Sequence, residues 1–265
     1  MQLIFPTSGR AEVLGRPVGD VATRRRIGFL PENPSFYDYL TAEELLTYYA
    51  QLLGVPAADR RTRITRLLDR MQVGRERRFQ LRKFSKGMIQ RIGIAQALLN
   101  DPEVIFLDEP MSGLDPLGRR DVRTLILELR DQGRTVFFSS HILADAEALC
   151  SRVAIVAGGR LAAQGGIADI AEFEIRGWEL VIASAAAPEL ETLRTVATRV
   201  TPVGHDRYTI ELPLDHPPEL VLPHLAAGGA SIISLNPIRA TLEEFFVSRV
   251  AAMGAGARAE AAGDR

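Results

Sequence analysis

One cysteine, Cys150, stands among 265 residues, so no internal disulfide forms and the chain suits a reducing compartment. A lone thiol of this kind reads as a small buried apolar residue. No stretch reaches the roughly 18 apolar residues of a membrane span, and Met1 opens no secretory leader, so the expectation is a soluble, cytoplasmic protein. Neither sign of charge is in excess: the formal net charge of −1 gives no overall pull toward nucleic acid or anionic membrane. Lysine is almost missing. Lys83 and Lys86 are the only two, and neither lies in a GxxxxGK[ST] loop, the turn whose backbone N–H groups cradle phosphate. What the chain has is apolar substance, 46% hydrophobic residues, enough for a sizeable core in one or two domains.

The most informative segment is Val104 to Asp115, VIFLDEPMSGLD. Four apolar residues end in Asp108 and Glu109, as when a buried parallel strand delivers two carboxylates to the carboxyl edge of a sheet. Such a pair suits metal–nucleotide chemistry, one carboxylate holding the metal shell and the next polarising a water. Around it the periodicities predict alternating strands and helices: strands Ile27 to Leu30, Val104 to Leu107, Thr135 to Ser139 and Arg152 to Ala157, with helices Ser85 to about Asn100, Pro116 to Asp131 and His141 to Cys150. That alternation indicates a parallel sheet covered on both faces. Before it, Thr41 with Glu44 forms a capping box for a helix, and Pro56 starts another with Ile64, Leu67, Leu68 and Met71 on one face. The arginine-rich run from Arg60 to Lys83 reads as a solvated helix face rather than a nucleic-acid surface, because only Phe79 is available to stack a base.

Beyond Gly165 the pattern changes. Strands Trp178 to Ala183, Arg199 to Val203, Arg207 to Leu212 and Ser231 to Leu235, with helices Pro188 to Val196 and Pro217 to Ala227, predict a β-α-β-β-α-β unit. A helix Thr241 to Val250 and a disordered tail from Ala251 are expected after it. The domain expectation is therefore 1–170 with a helical subdomain at about 32–100, then 171–250, then the tail 251–265.

Four ordered motifs carry a family resemblance over Met1 to Ile170. FSKGMIQR (Phe84 to Arg91), VIFLDEP, SGLD (Ser112 to Asp115) and SSH (Ser139 to His141) resemble the signature, Walker B, D-loop and switch-histidine motifs of ATP-binding cassette (ABC) transporter ATP-binding subunits. The likeness is to the bacterial branch of drug and antibiotic exporters. It implies an α/β fold: a P-loop NTPase-type parallel sheet with a helical subdomain and a small α+β accessory domain. It also implies an ATP hydrolase using ATP and Mg²⁺. By resemblance Glu109 acts as general base or water positioner, His141 contacts the γ-phosphate, and Asp108 orients Mg²⁺ through water. Glu32 stands where the family usually has a metal-touching glutamine, so it joins the metal shell or is a plain solvent-facing acid. Ser85, Lys86, Gly87 and Asp115 serve nucleotide held by a second subunit. The signature departs from the commoner serine-glycine-glycine-glutamine at Lys86 and Met88, a change that reads as a branch variant.

The implied partners are an integral-membrane permease and a second cassette, with no nucleic acid, at the inner face of the cell membrane. Two alternatives stand beside the exporter reading. One is an incomplete cassette lending only its signature helix to a partner's site; the other is a soluble ABC ATPase outside transport. The missing phosphate loop reads as a start codon placed too far downstream or as a true truncation, and the 265-residue chain alone is expected to bind ATP poorly.

Overall fold

The computed structural model of the chain describes residues 5–167, 175–183, 187–239 and 242–247. It divides into two compact units, Met1–Leu149 and Cys150–Arg265. The first opens with a small antiparallel hairpin, β1 (Glu12–Val13) and β2 (Arg16–Pro17). A single turn of helix, α1 (Val21–Arg24), comes next, capped by the Asp20 carboxylate, which accepts from the Thr23 amide at 2.8 Å.

The centre of this unit is a three-stranded parallel sheet in the order β3 (Ile27–Leu30), β4 (Val104–Leu107), β5 (Thr135–Phe138). Leu30, Leu107 and Phe138 are level in register, so the chain leaves all three strands at one edge. Backbone bonds carry the ladder one residue further: the Asp108 amide donates to Leu30 at 2.9 Å and the Ser139 amide to Leu107 at 3.0 Å. The residues just past the end of each strand are thereby gathered at this edge.

Helices pack on the face of the sheet that carries Leu30, Leu107 and Phe138. On the other face Phe137 is 60% exposed, so among the described residues the sheet is not covered on both faces as the alternation predicts. In α2 (Ala42–Leu52), Thr41 and Glu44 complete the expected capping box, and Leu45 and Leu46 are fully buried. In α3 (Ala57–Arg70), Ile64, Leu67 and Leu68 form the buried stripe. Ser85 caps α4 (Lys86–Ala97), and Asp115 caps α5 (Pro116–Asp131), with proline in its first turn where a missing N–H costs nothing. The short α6 (Leu143–Leu149) starts two residues later than the pattern from His141 predicts. Ser140 is the reason: its hydroxyl accepts from the Ile142 amide at 3.0 Å, holding residues 140–142 in a local turn. Leu30, Leu45, Leu68, Ile92, Ile105 and Leu125 belong to one apolar cluster.

Gly28 in β3 is a tight point. A Cβ there would overlap the backbone carbonyl of Ala97, which a rotamer change cannot relieve. Gly28→Ala is therefore expected to destabilise this unit by about 1–3 kcal/mol, the range of forced overpacking, seen as a lowered melting temperature. An unchanged melting curve would contradict the close packing of α4 on β3.

The second unit begins with a hairpin, β6 (Arg152–Ala157) and β7 (Arg160–Gly166). Its two turn residues, Gly158 and Gly159, have φ of 56° and 75°, as a type I′ turn requires. Then come β8 (Ile175–Ala183), α7 (Ala187–Val196), β9 (Arg199–Pro202), β10 (Arg207–Pro213), α8 (Pro218–Ala227) and β11 (Ser231–Arg239). The sheet order is β11-β8-β10-β9 with every neighbour antiparallel, the arrangement of a split βαβ unit. Leu180, Ile182, Ile210 and Leu212 make its core with Leu193 and Leu225 from the helices. Strand β11 runs past Pro237, beyond the expected end at Leu235, because it is an edge strand and can spare an N–H. Residues 242–247 are helical; Thr241, 248–250 and the tail 251–265 lie outside the described residues. Among the described residues, no helix is long and apolar enough to cross a membrane.

Candidate functional site

The site is built on the sheet edge where β3, β4 and β5 end. Asp108 and Glu109, just past β4, meet Ser139, just past β5. The Ser139 hydroxyl donates to Asp108 Oδ1 at 2.6 Å and accepts from the Glu109 amide at 2.9 Å. One hydroxyl thus aims the first carboxylate and anchors the backbone of the second.

Glu109 has φ of 46°, a left-handed conformation uncommon for a residue with a side chain. Its surroundings hold it there. Besides the Ser139 contact, its carbonyl accepts from the Ser112 amide at 3.0 Å and from the side-chain amide of Gln90 at 3.2 Å. Gln90 is 2% exposed in α4 and also donates to the Pro110 carbonyl at 3.2 Å. Backbone strain held by several independent bonds is a mark of functional placement. The carboxylate of Glu109 meets the ring of His141, with Oε2 and Nδ1 at 2.9 Å. A carboxylate accepts, so Nδ1 donates, and Nε2 then offers a second donor only when the ring is protonated on both nitrogens. A small cavity of about 20 Å³ lies between Glu109, Ser140, His141 and Arg119, room for one water.

Ser85, Lys86 and Gly87 form a second group. Ser85 Oγ accepts from the Met88 amide at 3.2 Å, and the first amides of α4 face outward with the positive end of its dipole. This end abuts the turn from Ser112 to Asp115. A Cβ on Gly87 would lie 3.2 Å from the Gly113 carbonyl, and one on Gly113 (φ 71°) would lie 3.0 Å from the Lys86 side chain. The two glycines allow that approach. Asp115 caps α5 by accepting from the Gly118 amide at 2.8 Å. Glu32 is exposed just beyond β3; among the described residues it has no hydrogen bond or ion pair to either group. Gln90 is the tie between the two groups, from α4 to the Glu109 carbonyl.

Three further features do not stand out in the sequence. Ser139 lies inside a recognisable motif that gives it no role of its own. Gln90 is equally inconspicuous, although an amide on an apolar helix face is itself a signal. The third is an ion pair. Asp145 in α6 is fully buried and receives Arg123 Nε from α5 at 2.8 Å, tying the helix after Asp115 to the helix after His141. Cys150 is half-buried rather than fully buried as its reading expects, and burial pushes its thiol up.

The chain is similar to known proteins. The family profile described as ABC transporter matches residues 1–112. An uncharacterised ABC transporter ATP-binding protein of Synechocystis is 42% identical over 254 residues, covering 95% of this chain and 70% of that protein. The chain belongs to the ABC transporter ATP-binding family. It shares 41% identity over 162 residues with the bacitracin transport ATP-binding protein of Bacillus licheniformis, 60% of this cassette chain and 52% of that protein. A fluoroquinolones export ATP-binding protein of Mycobacterium tuberculosis is 41% identical over 138 residues, 52% of this chain and 44% of that protein. Among solved structures, an ATP-binding subunit of an ABC transporter superposes with a TM-score of 0.59 at 34% identity, covering 63% of this chain and 71% of that one. The fold is accordingly the P-loop NTPase-type α/β fold of an ABC cassette, and the family is one of ATP hydrolases.

The donor set fits a magnesium–nucleotide complex. Asp108 and Glu32 are exposed carboxylates placed after adjacent strands, and no cluster of three metal-ligating side chains occurs among the described residues. Magnesium is held in this way, by one or two carboxylates with waters and substrate phosphates completing the shell.

Proposed function

We propose that this protein is the ATP-hydrolysing subunit of a membrane exporter, coupling closure and reopening of a cassette pair to a separate permease. The observation that carries the reading is the bonded chain Asp108–Ser139–Glu109–His141 at one sheet edge. The bacitracin and fluoroquinolone names of its relatives support the exporter branch.

In this reading Glu109 orients the attacking water and takes its proton, its backbone held rigid by Ser139, Gln90 and Ser112. His141 holds the Glu109 carboxylate through Nδ1 and, when doubly protonated, donates from Nε2 to a phosphate oxygen. Asp108 and Glu32 would hold Mg²⁺, which would neutralise phosphate charge. Ser85, Lys86 and Gly87, with Asp115 on the adjoining turn, present the α4 N-terminus to nucleotide carried by a second cassette. The nucleotide-binding part extends to about residue 170 and takes in the β6–β7 hairpin, with 171–250 as an accessory domain. The protein works at the inner face of the cell membrane, against its permease.

Co-expression with the membrane protein of its own gene neighbourhood tests this. The expected result is co-purification and, for a polypeptide in which a phosphate-binding loop precedes these residues, ATP hydrolysis stimulated by the permease in proteoliposomes. No association and no stimulation would overturn the transport assignment and leave an ABC ATPase outside transport.

A further inference from the structure

The arginine run of the sequence acquires a shape in the folded chain. Between α3 and residues 74–79 lies an open groove of about 1120 Å³. Arg61 and Arg66 reach it from α3, and Arg75, Arg77 and Arg78 from the loop, against only two acids, Glu43 and Asp69. Two separated segments thus contribute five arginines to the lining of one space.

One of the five is spent on structure. Arg77 donates to Glu43 at 2.9 Å and to the Thr65 hydroxyl at 3.0 Å, and the Glu43 amide donates to the Arg77 carbonyl at 3.0 Å. These bonds fix the loop against α2 and α3. The guanidinium groups of Arg61, Arg66, Arg75 and Arg78 have no hydrogen-bond or ion-pair partner among the described residues, and Asp69 is the one remaining acid in the lining. Four like charges facing one concavity repel each other, and a polyanion relieves that repulsion. Every cation in the lining is arginine, whose planar fork matches phosphate bidentately where lysine offers a point charge. Phe79, 55% exposed on the same groove, adds an apolar face.

We propose that this groove is an anion site for two or more phosphate groups, carried by one dissolved ligand or by neighbouring headgroups of a bilayer surface, apart from the site of hydrolysis. No residue of the Asp108–His141 group lines it.

The test has two arms. In the first, inorganic tripolyphosphate is titrated calorimetrically into the protein, and the variants below, which leave Ser85 and the Asp108–His141 group untouched, separate the groove from the nucleotide site. In the second, the protein is floated with phosphatidylglycerol vesicles and, as control, phosphatidylcholine vesicles. Both are repeated with Arg61→Gln, Arg66→Gln and Arg78→Gln combined, and with the same three positions changed to lysine. These side chains are exposed and unpaired, so thermal melting should stay at the parent value. The expected result is saturable binding in at least one arm, weakened about tenfold or more by the glutamine set and by less in the lysine set, as charge-assisted bonds to phosphate require. Binding of tripolyphosphate alone assigns a dissolved ligand; binding of phosphatidylglycerol alone assigns a lipid headgroup. Absence of binding in both arms, or glutamine variants that bind like the parent, overturns the proposal. So does polyglutamate displacing the phosphate ligand at equal concentration, since the groove would then serve an acidic protein segment.

Discussion

Glu109→Gln is expected to lower ATP turnover by on the order of 10²-fold or more while nucleotide affinity is retained. The measurement needs a polypeptide in which a phosphate-binding loop precedes these residues. The amide nearly matches the carboxylate in shape but cannot take a proton from water. The three bonds holding the residue at φ 46° reach only its backbone, so the loop should keep its form. The His141 contact should also persist, because the side-chain amide oxygen still accepts from Nδ1. A companion change separates orientation from chemistry. Ser139→Ala removes the donor to Asp108 and the acceptor for the Glu109 amide. Its cost should be smaller, about tenfold in turnover, in line with losing one or two supporting hydrogen bonds. Unchanged turnover in Glu109→Gln would remove Glu109 from the chemistry and leave Asp108 and His141 without a common partner.

The contrast between those two residues is also the contrast between what the chain discloses locally and what it conceals. Glu109 is visible because strand β4 ends in two adjacent acids, a pattern complete within six residues. Helix α5 and strand β6 are visible for the same reason: Asp115 with Pro116 starts one, and an apolar run before Gly158 marks the other. Ser139 and Gln90 act on partners 31 and 19 residues away, and no local pattern reports a contact at that separation. The Arg123–Asp145 pair is hidden likewise, each residue alone resembling an ordinary surface charge. Strand β7 lies outside the sequence expectation although its signal is present. Its Gly-rich sequence weakens strand propensity, but Gly158-Gly159 after an apolar run is a hairpin turn, and pairing with β6 overrides propensity. The arginines of 60–83 are legible as a charge run, while their convergence requires the fold to bring α3 and the 74–79 loop together.

The last expected result concerns Ser85, whose proposed role lies on another molecule's nucleotide. Ser85 begins α4, its hydroxyl already engaged by the Met88 amide, so the free amides beyond it and the helix dipole are what it presents outward. A group of this kind acts in trans. Mixed dimers made from this 265-residue chain, which has no GxxxxGK[ST] loop, and a cassette subunit of the same transporter that carries one should therefore hydrolyse ATP at one composite site, the partner supplying the phosphate loop. Placing Ser85→Arg in this chain should abolish that activity, because a long cation at the helix start blocks the approach of phosphate and removes the cap. Glu109 and its supports are untouched by the change. Circular dichroism melting of the variant controls for the cap, whose loss alone costs about 1 kcal/mol and leaves the fold standing. Abolished hydrolysis with a near-parent melting curve assigns the α4 N-terminus to the shared site. Hydrolysis equal to the parent mixed dimer would mean that the site forms without Ser85, and the signature helix would then be a structural element alone.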